Sequence, residues 1–108
     1  MKKLVINVKR WLHGGKSLSV LRNESGSMCC LGFLARDCGA NVSDILNQPS
    51  PEETSELNWP KGMLDNFNNN SFLAYDMMET NDSPISLAQK KSQLKKLFLE
   101  IGYRLTFK

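Results

Sequence analysis

Residues 28–38, MCCLGFLARDC, constrain this chain more than any other stretch. On a helix, Met28, Leu31, Leu34, Ala35 and Cys38 fall on one face, and Cys29, Cys30 and Phe33 cover much of the rest. A helix that is apolar nearly all round has to be buried. The spacing therefore predicts a central core helix, with Ser27 as its N-cap and Gly39 just past its end. Gly32 inside it costs roughly 1 kcal/mol against Ala, which points to a close backbone contact there. The chain has 108 residues, enough for one such core. Its 41% hydrophobic content and net charge of +3 argue against intrinsic disorder, so a single domain over 1–108 is expected.

The flanking segments supply the rest of the architecture. Leu4, Ile6 and Val8 alternate with Val5, Asn7 and Lys9, the pattern of a half-buried strand. His13-Gly14-Gly15 breaks the chain, and residues 17–22 (SLSVLR) read as a second strand, so the pair suggests a hairpin. Asn23-Glu24-Ser25-Gly26 is a turn cluster. Residues 43–46 suit a helical turn and residues 71–79 a short helix. Asn81-Asp82-Ser83-Pro84 opens a longer helix in which Ser86 and Gln89 stand at capping-box spacing. Leu87, Leu94, Leu97, Phe98 and Ile101 keep its period, and Gly102 stops it. Tyr103, Leu105 and Phe107 alternate in a last strand. The fold class expected is α+β. A small antiparallel sheet, from the N-terminal hairpin and the C-terminal strand, packs on a buried helix (about 28–38) and an amphipathic helix (about 84–101).

The mild net charge conceals segregation. Residues 1–36 carry seven Lys/Arg and one acid, residues 37–82 one Lys and nine acids, and residues 83–108 six Lys/Arg and one acid. No apolar run is long enough to span a membrane, and the apolar stretch near Leu4 is too short for a secretory signal. Cys30 and Cys38 stand about 12 Å apart along a helix, beyond the roughly 7 Å a disulfide spans, so reduced thiols in a cytoplasm are expected.

Cysteine chemistry is the first candidate activity. A thiol at a helix N-terminus, Cys29 or Cys30, has the setting of a nucleophile, and His13 is the sole histidine available as base. No orienting carboxylate is evident beside His13, and the cysteines read better as small buried hydrophobes. Two adjacent cysteines, a third nine residues on and one histidine do not make a zinc site. No metal, no cofactor and no enzymatic activity is expected.

Binding is the stronger expectation. Lys2, Lys3, Lys9, Arg10, Lys16 and Arg22 lie near the first strands, and Arg104 and Lys108 on the last. Pairing of those strands would join them in one basic surface, which Lys90, Lys91, Lys95 and Lys96 would extend. Exposed aromatic residues interleaved with these cations are lacking, apart from Trp11 and Tyr103. The acidic middle, including Glu52, Glu53, Glu56 and Asp65, offers an opposite surface to a basic partner.

The run from Gly26 to Phe33, with Cys38-Gly39, resembles the Gly-x-Met-Cys-Cys-Leu-Gly-Phe … Cys-Gly core of a family of small tailed-phage and prophage proteins. Trp11, Leu21-Arg22, Trp59-Pro60, Asn81-Asp82 and residues 94–107 extend the resemblance. The middle loop and the Asn-rich patch depart from it. The resemblance implies a phage origin and a compact α+β fold, and it brings no catalytic residues. The expected function is that of a non-enzymatic phage accessory protein. It would bind and inhibit or modulate a host protein in the bacterial cytoplasm, in counter-defence or host takeover. The alternatives are a nucleic-acid-binding protein using the basic terminal strands and a cysteine-dependent enzyme.

Overall fold

A computed structural model describes residues 1–14, 20–49, 57–60, 63 and 73–108. The cysteine-rich segment forms helix α1, Cys30–Asp37. Cys30, Leu31, Gly32, Leu34 and Ala35 are buried, and only its last turn, at Arg36 and Asp37, is exposed. The helix begins later than expected. Cys29, not Ser27, is the N-cap, and its side chain caps nothing. Ser27 belongs to the preceding turn, where its N–H donates to Asn23 Oδ1 at 2.9 Å. The far end closes as expected, in a Schellman arrangement. Ala40 N–H donates to the Ala35 carbonyl at 3.0 Å and Gly39 N–H to that of Arg36 at 3.1 Å. Gly32 marks the close contact its presence suggests: a β-carbon there would stand 1.8 Å from the Leu21 carbonyl oxygen. Any side chain would push the backbone of residues 20–22 off the helix.

Strand β1 is Lys2–Ile6 and strand β2 is Tyr103–Phe107. They pair in parallel, from Lys2 opposite Tyr103 to Ile6 opposite Phe107. The expected antiparallel sheet and N-terminal hairpin are thereby corrected. Alternation identifies the inward residues, Leu4, Ile6, Tyr103 and Leu105, but it is the same for either strand direction. Direction follows from the connection. A parallel neighbour needs a crossover, and the last segment of it is helix α4, Leu87–Leu99, which packs on β2. The chain turns at Gly102, whose carbonyl accepts from Lys2 N–H at 3.0 Å, so β2 starts beside the start of β1. After β1 the chain leaves the sheet in a 3₁₀ turn, Val8–Arg10, capped by Asn7. Val8 is therefore not a strand residue. Of the expected second strand, residues 17–19 lie outside the described residues. Arg22 makes an isolated parallel bridge with Leu46 instead of a hairpin with β1.

Two further helices complete the layer. The helical turn expected over 43–46 is α2, Val42–Ile45, held by a reciprocal Asn41–Asp44 capping box. Helix α3 is Leu73–Asp82. Asn81 and Asp82, expected to open the last helix, are thus the end of α3. Ser86 is the N-cap of α4 as expected, its hydroxyl accepting from Gln89 N–H at 3.2 Å. Leu31, Leu34, Ile45, Met63, Met77, Leu94 and Phe98 are fully buried in one core to which all four helices contribute. No helix among the described residues is long and apolar enough to cross a membrane. The architecture is α+β, with a two-stranded parallel sheet.

Candidate functional site

The buried polar groups come first, because they decide which sequence candidates stay available for chemistry. Asn81 is 1% exposed. Its Oδ1 accepts from Trp11 Nε1 at 2.8 Å and from Cys30 N–H at 3.1 Å. Its Nδ2 donates to the Leu12 carbonyl at 2.7 Å and to Asp82 Oδ1 at 2.9 Å. One amide thus ties α3 to α1 and to the segment after β1, with its donors and acceptor all used. It also supplies the N-terminal acceptor that Cys29 does not. Nothing in the sequence marked Asn81 for this role beyond its place in an Asn-Asp pair.

Lys90 lies in the same region and is 3% exposed. Its ammonium donates to the His13 carbonyl, and burial lowers its pKa while the Asp82 carboxylate opposes that shift. Lys90 is therefore corrected from a surface cation to an internal tether. The His13 ring packs against Trp11, with centroids 4.9 Å apart. Cys29 and Cys30 are buried, and none of the three cysteines forms a disulfide. Burial pushes the Cys29 thiol up to about 11 and also raises Cys30, which the neighbouring Cys29 raises further. The reactive form of cysteine is the thiolate, and both environments oppose it. Cys30 Sγ instead lies against the Met77 carbonyl at 3.9 Å. These are the surroundings of packed side chains. Among the described residues, no three His, Cys, Asp or Glu side chains gather as metal ligands.

The surface candidates divide. On the outer face of the sheet, Lys3 stands opposite Arg104 and Val5 opposite Thr106. Lys3 and Arg104 are exposed, and Val5 is 49% exposed. Lys9 and Arg10 are exposed on the 3₁₀ turn that follows. Arg22 is half-buried beside Arg10. The lysines of α4 do not form one face. Around the helix axis, at about 100° per residue, Lys91 and Lys95 flank the buried stripe on one side and Lys96 on the other. Lys91 places its ammonium 5.6 Å from the Phe107 ring centroid at the sheet. Lys96 lines a cleft between α3 and α4 with Asp76 and Glu79. Trp11 and Tyr103, the aromatic residues expected among the basic groups, are both buried, and Phe107, next to Lys108, is half-buried. Lys16, Glu52, Glu53, Glu56 and Asp65 lie outside the described residues.

Compared with protein-family models, with curated proteins and with solved structures, the chain matches none.

Proposed function

We propose that this is a non-enzymatic binding protein that docks the outer face of its sheet on an acidic patch of another protein. In the setting that the Met-Cys-Cys-Leu-Gly-Phe resemblance implies, it is a phage accessory protein that inhibits or modulates a host protein.

The observation that carries this reading is the outward pairing of Lys3 with Arg104 beside Val5 and Thr106. Like charges directly opposite each other weaken a sheet, so the pair adds nothing to folding. A carboxylate from a partner offsets that repulsion. Val5 adds an apolar contact within the cationic surround, the combination found at protein interfaces. The burial of Trp11 and Tyr103 favours a protein over a single-stranded nucleic acid, because base stacking needs exposed rings.

The test is charge reversal at Lys3 and Arg104, both exposed, in a pulldown from host lysate. A stoichiometric protein partner is expected with the native chain and lost with the doubly reversed one. Recovery of no partner, or of one indifferent to the reversal, would count against the reading. Retention of nucleic acid at low salt, abolished by the same reversal, would replace it with the nucleic-acid alternative.

A further inference from the structure

The geometry points to an oxyanion site between Arg10 and Arg22, fitted to a phosphate monoester, and independent of the sheet face.

Gly26 brings the two guanidinium groups together. It sits in a tight turn at φ +90°, a conformation that excludes most side chains. The turn is held from within. Asn23 N–H donates to the Ser27 carbonyl at 2.8 Å, Gly26 N–H to the Asn23 carbonyl at 3.1 Å, and Ser27 N–H to Asn23 Oδ1 at 2.9 Å. A β-carbon on Gly26 would lie 2.9 Å from Arg10 Nη1 and 3.2 Å from Arg22 Nη2. Both distances run from one point, so the two nitrogens stand within about 6 Å of each other, a range at which like charges repel.

Neither cation has a strong acceptor there. A guanidinium carries five N–H donors. Among the described residues, Arg10 reaches the Ser25 carbonyl at 3.4 Å and Arg22 the weakly accepting Met28 sulfur at 3.7 Å. No carboxylate of the described residues pairs with either. Two cations this close repel each other, and an anion held between them relieves that repulsion. A phosphate oxygen pair suits the guanidinium fork. The charge of a phosphate monoester, about −1.5 to −2 near neutral pH, also matches two guanidiniums better than a single carboxylate does. Both arginines are anchored by their backbones. Arg10 O accepts from Met28 N–H at 2.8 Å and Arg22 O from Asn47 N–H at 2.7 Å, so the groups are brought to the turn from two different segments.

The test titrates the full chain at constant ionic strength with inorganic phosphate, adenosine monophosphate and an oligonucleotide lacking terminal phosphates. Amide resonances of Ser25, Gly26 and Ser27 are followed. Saturable shifts are expected with the first two ligands. Arg10→Ala should weaken binding roughly tenfold or more, because a charge-assisted pair is lost. Arg10→Lys, which keeps the charge but not the fork, should fall between. Arg10 is exposed, so these variants test the site even if Arg22→Ala fails to fold. Unsaturable shifts equal to those from chloride would overturn the site, as would an unchanged affinity in Arg10→Ala. Tighter binding of the oligonucleotide than of the monoesters would overturn its assignment to a monoester.

Discussion

Burial pushes the Cys29 thiol from its ordinary 9.0 up to about 11, because ionisation would place a charge in the apolar interior. In the unfolded chain the same thiol ionises near its ordinary value. Below pH 9.0 both states hold the proton, and the group adds nothing to the pH dependence. Between 9.0 and about 11 only the unfolded state releases it, so stability falls as pH rises. Full expression of the Cys29 effect removes about 2–3 kcal/mol. Cys30 and Tyr103, both raised chiefly by burial, act in the same direction. Urea midpoints should decline through this alkaline window, and Cys29→Ala, which has no thiol to titrate, should remove part of the decline. A midpoint that stays flat to pH 11 would show that the thiols are not excluded from water.

At the scale of elements, α4 gives the most direct test of local structure. Ser86→Ala removes the acceptor of Gln89 N–H and should cost about 1 kcal/mol, whereas Ser86→Asp should restore it; chemical denaturation reads both. This cap, the period of α4, the Gly39 ending of α1, the Gly32 contact and the alternation of β2 were all legible in the sequence. All but the Gly32 contact depend on residues a few positions apart; that contact, with Leu21, showed only as the cost of a glycine inside a helix. What could not be read depends on distant partners. The start of α1 is set by Asn81, fifty-one residues from Cys30. The direction of β1 against β2 is set by the crossover, which alternation does not record. The candidate surface divides by the same rule. Exposure of Lys3 and Arg104 followed from strand alternation, whereas Lys9 and Arg10 are exposed on a 3₁₀ turn that the alternation did not show. Lys90 went into the interior because the His13 carbonyl waits there, and Lys96 faces the acids of α3. The convergence of Arg10 and Arg22 on Gly26 depends on two separate segments meeting, which spacing alone cannot disclose.

Across the whole molecule, the sheet joins the first element in the chain to the last, with α1 and α4 packed on it. Each of its registered pairs is remote in sequence, so the entropy of closing the chain is met before the sheet contributes. The parallel register also has a mechanical consequence. Force that draws residues 1 and 108 apart slides β1 along β2, and all five registered pairs resist together. In an antiparallel pair the same pull would open the rungs one after another. Single-molecule stretching with handles at Met1 and Lys108 should therefore require a higher unfolding force than with handles at Met1 and Gly102, which meet at one end of the sheet. Equal forces would mean that the sheet bears no load. The seam that closes this fold is a shear clamp, strongest against a pull along the strands.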